Sequence, residues 1–184
     1  MNLIIQLDEI KESGLQLEGD AGQEELPQVD ELVNAGSLML PEPVHYRFDI
    51  TRLSGMVEID GELECDIEVP CGRCLESYRL PISSRFSLTL SESIPECFDE
   101  EGNEIELSTE EMGLALIEGE EIDLVEPLQE QVLMALPIQP LCREECKGLC
   151  PYCGNNLNES ECDCTAPKFD TRFASLKDFK VKNK

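Results

Sequence analysis

Leu63-Glu64-Cys65-Asp66-Ile67-Glu68-Val69 alternates apolar and polar side chains without a break, placing Leu63, Cys65, Ile67 and Val69 on one face. A period of two belongs to a β-strand with one dry side and one wet side. The same pattern returns in His45–Thr51, Met56–Asp60 and Phe86–Leu90. Breaks at Gly and Pro separate these runs, and Asp60-Gly61 between two of them is a hairpin signal. The expected core is an antiparallel meander of about five strands, as a sheet or a partly open barrel.

Outward from this core the signals are of different kinds. Leu3–Leu7 predicts an opening strand. Residues 8–43 hold Gly14, Gly19, Gly22 and Gly36 with no sustained period, which predicts short strands or turns and a long excursion. Residues 91–121 form an acidic connection containing a short apolar strand, Leu114–Ile117. A helix is predicted next. Glu126 and Pro127 suit its first turn, Leu128, Val132 and Ala135/Leu136 share a face, and Pro137 ends it. Laid on the sheet's apolar face, this helix makes the fold α+β. The expected organisation is an acidic β-rich domain over 1–139 and a cysteine-rich segment over 140–184, closing in a short basic helix, Thr171–Phe179.

Charge divides the chain at the same place. The net charge is −26, yet residues 1–139 carry 33 acidic and 6 basic side chains while residues 140–184 carry 7 and 8. An anionic body repels nucleic-acid phosphates and attracts basic partners. Arg172, Lys177, Lys180, Lys182 and Lys184 in the cationic tail are the candidate RNA contacts.

Six of the ten cysteines, Cys142, Cys146, Cys150, Cys153, Cys162 and Cys164, crowd into 23 residues. Cys150-Pro151-Tyr152-Cys153-Gly154 is a turn that lets two thiolates converge on one cation, with Pro fixing φ and Gly folding the backbone back. Residues Met1–Glu9 lack the basic and long apolar parts of a secretory leader, and no run approaches the ~18 apolar residues of a membrane span. A cytoplasmic, reduced chain whose thiols hold metal is therefore expected. All-thiolate ligation suits Zn²⁺ or an iron–sulfur cluster, and a compact structural knuckle favours Zn²⁺. Cys150 and Cys153 form one pair of ligands, with Cys142/Cys146 or Cys162/Cys164 as the other. Cys71-Gly72-Arg73-Cys74, between two predicted strands, is a second thiol site: a metal half-site, a reversible dithiol or a tight turn.

The sequence holds no pattern for catalysis. His45, the only histidine, starts a strand with no nucleophile pattern beside it, and there is no glycine-rich phosphate loop. A non-enzyme without a small-molecule substrate is expected.

Four stretches together resemble a known family: Cys71-Gly72-Arg73-Cys74-Leu75-Glu76; Ile122-Asp123-Leu124 before the helix ending Ala135-Leu136-Pro137; Leu141–Gly154 with Cys162-Asp163-Cys164; and Asp170–Lys177. These are similar to the YceD-type proteins, the large ribosomal RNA subunit accumulation proteins of bacteria and chloroplasts. The resemblance implies a non-catalytic role in synthesis, processing or stability of large-subunit (23S) ribosomal RNA. It also implies a large-subunit precursor or a basic ribosomal protein as partner, with ribosomal RNA bound directly or indirectly. From the residues alone, a redox-regulated zinc-binding chaperone is the alternative, because oxidation of Cys150/Cys153 and Cys162/Cys164 would release metal.

Overall fold

The computed structural model describes residues 3–93, 97–98, 104–105, 114–117 and 119–164. Its centre is a meander of β2 (Leu15–Ala21), β3 (Val44–Leu53), β4 (Met56–Pro70) and β5 (Ser77–Ser91), each antiparallel to the next. The fifth strand of this open sheet, β8 (Ala115–Leu116), lies parallel to the end of β5. Strand β1 (Ile4–Gln6) pairs instead with β9 (Glu121–Asp123) in a separate ribbon, and β6 (Cys97–Phe98) pairs with β7 (Glu104–Ile105). The fold is α+β, as the alternation predicts, and the sheet does not close into a barrel.

Alternation explains which face is buried. Val57, Ile59, Leu63, Ile67 and Val69 of β4 point inward, and Glu58, Asp60, Glu62 and Glu64 point to water. Neighbouring strands keep this parity, because Tyr46, Phe48 and Ile50 of β3 lie opposite Leu63, Gly61 and Ile59. Helix α1 (Pro27–Asn34) and helix α2 (Val125–Met134) cover the apolar side with Val29, Leu128 and Val132. The two helices touch each other, and the Gln28 N–H donates to Gln129 Oε1 at 3.0 Å. Ser84 of β5 fastens α2 to the sheet by donating to Gln131 Oε1 at 3.0 Å.

Two expectations are corrected here. Asp60-Gly61 is not a hairpin but the middle of one 15-residue strand, and the β3–β4 turn is Ser54-Gly55, both with positive φ. Positive φ at both central residues is what a two-residue turn needs to follow the sheet's twist. Gly61 is required for packing instead. It sits between Phe48 and Phe86 in one cross-strand row, and a Cβ there would stand 2.4 Å from the Phe86 ring. The bare backbone lets the two rings meet edge to face at 6.1 Å. The second correction concerns residues 8–43, which contain α1 as well as strand and turns. The expected basic helix, Thr171–Phe179, lies outside the described residues.

The outer face of the sheet is acidic. Glu18, Asp20, Asp49, Glu58, Asp60, Glu62, Glu64, Asp66 and Glu68 lie on it, against Arg47, Arg79 and Arg85 as fixed cations. Arg85 Nε pairs with Glu62 at 3.0 Å and Arg47 with Asp49 at 3.5 Å. Such exposed pairs contribute under about 1 kcal/mol each. Their larger consequence is that most of the negative charge stays unneutralised.

Candidate metal centres

Strands β4 and β5 are joined by Cys71–Glu76, and that loop is a thiolate knuckle. The Cys71 N–H donates to the Glu76 carbonyl at 2.9 Å, and the Leu75 N–H donates back to the Cys71 carbonyl at 2.9 Å. The C-terminal turn repeats the construction. There the Cys150 N–H donates to the Asn155 carbonyl at 2.8 Å and the Gly154 N–H to the Cys150 carbonyl at 2.9 Å. Gly154 has φ of 74°, and Leu75 holds the matching position at 63° despite its side chain. Both loops turn the backbone through the left-handed region so that N–H groups face the sulfurs, as the Arg73 N–H does toward Cys71 Sγ at 3.5 Å.

Each knuckle supplies half of a four-sulfur cage. Cys71 and Cys74 meet Cys142 and Cys146 in an inner cage, whereas Cys150 and Cys153 meet Cys162 and Cys164 in an outer one, all sulfurs of a group lying within 4.8 Å of one another. Within the inner cage Cys71 Sγ is 3.7 Å from Cys146 Sγ, and Cys74 Sγ is 3.8 Å from Cys142 Sγ. Four sulfurs held tetrahedrally by bonds of ~2.3 Å to Zn²⁺ stand about 3.8 Å apart. The inner cage thus has the size that cation requires. A metal held by all four sulfurs of a cage would keep no open position for a substrate.

Residues 140–149, the strap that carries Cys142 and Cys146, are fastened to the β4–β5 loop by hydrogen bonds as well. The Gly72 N–H donates to the Pro140 carbonyl at 2.7 Å, and the Leu149 N–H donates to the Arg73 carbonyl at 3.0 Å. Arg73 itself reaches across, with Nη1 donating to the carbonyls of Glu144 at 3.1 Å and Cys146 at 2.9 Å. Gly148, at φ of 73°, lies so close that a Cβ would stand 3.0 Å from the Arg73 carbonyl oxygen. Cys71, Cys74 and Cys146 are buried, whereas Cys153 and Cys164 of the outer cage are exposed.

The thiols are prepared unequally for metal. Burial pushes the Cys71 thiol up, but backbone N–H groups of Cys142, Cys74 and Arg73 outweigh it and bring it down to about 6. Backbone N–H groups of Cys153 and Tyr152 likewise bring Cys150 down to about 6. Burial and the neighbouring sulfurs push Cys142 up to about 12, and the Cys153 sulfur followed by burial pushes Cys164 up to about 12. Each cage therefore begins with a ready thiolate and must displace protons to complete ligation. Raised thiols are protonated at neutral pH, so metal affinity rises with pH and falls as acid restores those protons. Zinc uptake by the reduced, metal-free chain should acidify a weakly buffered solution and tighten from about pH 6 to about pH 8. Uptake without proton release would contradict this assignment.

Of the residues singled out in the sequence, Cys150/Cys153 come together with Cys162/Cys164, and Cys142/Cys146 come together with Cys71/Cys74. Cys65 stays apart from both cages, packed against the core, and burial beside Asp66 raises its thiol to about 11. His45 lies on the outer face, 3.1 Å from Asp20 and 3.7 Å from Glu18, away from any cysteine cage. Arg172, Lys177, Lys180, Lys182 and Lys184 lie outside the described residues. Sequence reasoning missed Arg73 as the brace between the cage halves. Its place inside the C-x-R-C run was the available signal, since an interior Arg is unnecessary for a bare turn.

A family model described as "Large ribosomal RNA subunit accumulation protein YceD" matches residues 59–180, a span containing both cages. The chain is 30% identical over 152 residues to the chloroplastic large ribosomal RNA subunit accumulation protein YCED homolog 1 of Arabidopsis thaliana, covering 73% of this chain and 47% of that protein. The corresponding homolog of Zea mays is 29% identical over 66% of this chain and 48% of its own. An uncharacterized protein of Mycobacterium tuberculosis is 32% identical over 69% of this chain and 57% of its own. The chain thus spans about half the length of the relatives it matches. No solved structure matches it. With the family model covering about two thirds of its residues, the chain belongs to the YceD family of large ribosomal RNA subunit accumulation proteins.

Proposed function

We propose that this protein is a non-enzymatic, cytoplasmic factor that sustains large-subunit (23S) ribosomal RNA during ribosome assembly. It does so by binding a basic ribosomal protein or a pre-ribosomal particle. The family match over residues 59–180 carries this reading. The outer face of the sheet supports it physically: a broad, exposed and mostly uncompensated acidic surface favours encounter with a basic partner over bare phosphate. The two cysteine cages support Zn²⁺ as the resident ion, held by Cys71, Cys74, Cys142 and Cys146 and by Cys150, Cys153, Cys162 and Cys164. Zinc here supplies folding energy and fastens the C-terminal segment, which brings the basic tail of residues 165–184 to the particle.

Affinity capture of the tagged protein from growing cells should recover large-subunit precursors or a basic ribosomal protein, and depletion should lower mature large-subunit RNA. Recovery of neither, with RNA levels unchanged, would contradict the proposal. Exposure of Cys153 and Cys164 favours a second reading, the redox-regulated zinc chaperone. Peroxide treatment that leaves bound zinc and client binding unchanged rules that second reading out.

A further inference from the structure

The two cages are not independent in space. Residues 154–161 form the loop between the two halves of the outer cage, and this loop reaches back onto the inner one. Asn158, in the loop, directs its side-chain amide at the inner cage, with Nδ2 donating to Cys146 Sγ at 3.4 Å. The same side chain accepts at Oδ1 from the Lys147 N–H at 2.8 Å, fixing the residue next to that cysteine. Asn156 holds Asn158 in place through Oδ1, which accepts from the Asn158 N–H at 3.0 Å and from Nδ2 at 2.8 Å. Asn156 also donates to Glu76 Oε1 at 2.9 Å, on the far side of the inner knuckle.

A zinc ion with four thiolates leaves the cage with net negative charge, and N–H donors to sulfur are what disperse it. The inner cage has the backbone N–H groups of Cys142, Cys74 and Arg73 on Cys71 for this purpose, and the Asn158 amide and the Gly148 N–H on Cys146. Of these donors, only Asn158 is carried by the outer cage's loop. That loop contains no helix, and its one strand-like contact is the isolated bridge from Asn156 to Leu149. Its two ends are held by the cysteine pairs on either side, and between them the Leu157 N–H donates to the Gly148 carbonyl at 2.9 Å and the Ser160 N–H to the Asn156 carbonyl at 3.2 Å.

We propose that Asn158 is a positioning residue that couples the two centres. Metal in the outer cage orders the loop, and the Asn158 amide then holds the Cys146 thiolate and tightens the inner cage. By linkage, metal in the inner cage favours the outer to the same degree. This inference rests on the metal reading above and adds the communication between the two sites.

The test is Co²⁺ titration of the full-length, reduced, metal-free chain, read by thiolate-to-cobalt charge-transfer and ligand-field absorption. Cys71→Ser with Cys74→Ser, and Cys153→Ser with Cys164→Ser, assign the bands to each cage. Asn158→Ala should weaken Co²⁺ at the inner cage about tenfold and leave the outer cage's own affinity unchanged when measured in the Cys71→Ser/Cys74→Ser background. Asn158→Asp keeps the acceptor for Lys147 but lacks the donor to sulfur, so it should weaken the inner cage at least as much. Removing the outer cage should cost the inner one a similar factor, and Asn158→Ala should then add nothing. The proposal is overturned by an unchanged inner affinity in either Asn158 variant, by a weaker outer cage when Asn158→Ala is measured in the Cys71→Ser/Cys74→Ser background, or by additive losses. Failure of the wild-type chain to take up cobalt at all overturns the metal reading along with it. That result is distinguishable from wild-type uptake that is insensitive to Asn158. Far-UV circular dichroism confirms that the sheet is intact in each variant.

Discussion

Replacing Cys142 and Cys146 together by serine is expected to lower bound zinc from two ions per chain to one at saturating metal, and to free the strap from the β4–β5 hairpin. The expectation comes from the cage's construction, two sulfurs on the hairpin loop and two on the strap. The strap's remaining attachments are a few backbone hydrogen bonds, the two bonds from Arg73 Nη1, and the packing of Leu141 and Leu149 beside Cys71 and Cys74. Net contributions of about 1 kcal/mol per hydrogen bond do not replace a structural zinc site worth roughly 10–16 kcal/mol of apparent binding energy. Trypsin should then cut rapidly after Arg143 and Lys147, while the sheet stays folded. Cys71→Ser with Cys74→Ser should reproduce the loss, although those residues lie some seventy positions away. A chain whose C-terminal cysteines formed a self-contained site would be indifferent to that second pair, so equal zinc content with and without Cys71 and Cys74 would refute the bipartite cage.

Phe48→Ala should have the largest effect on the sheet itself. Phe48 is fully buried in the middle of β3, with Tyr46 at 5.5 Å and Phe86 at 6.1 Å between ring centroids. Truncation removes a large apolar side chain and leaves a cavity in the core beside Tyr46 and Phe86. A cost of about 3–5 kcal/mol is typical of such changes. Urea unfolding followed by circular dichroism should show the midpoint falling accordingly, while zinc content below the transition stays at the wild-type level. A loss under about 1 kcal/mol would mean that the rings do not anchor the core as described.

The contrast between these two substitutions also shows what was legible in the sequence. Strand β4 could be read because burial on one face repeats every second residue, and the helix at Leu128 and Val132 because burial there repeats every turn. Gly61 was misread because a turn and an aromatic crossing both call for a missing Cβ. The partner that separates the two cases, Phe86, is brought alongside only by strand pairing. Helix α1 escaped notice because its eight residues bury only Val29 fully, too little to stand out among the glycines around it. The outer cage is local in the chain, and its pairing of Cys150/Cys153 with Cys162/Cys164 was one of two alternatives the spacing allowed. For the inner cage no spacing rule was available. Its halves are joined by the length of β5, the acidic connection and α2, and only the folded sheet sets them face to face. Asn158 is less legible still, since an Asn in a loop ordinarily bonds to its own backbone.

Two four-cysteine cages, one closed across the fold and one within the C-terminal turn, are each of a kind to hold a zinc ion. Elemental analysis of the natively purified chain, combined with a count of titratable thiols before and after chelation, tests it most directly. The expected result is two zinc ions per chain, with eight thiols becoming reactive only once the metal is withdrawn. A metal-free chain whose cysteines are joined to one another as disulfides would contradict it.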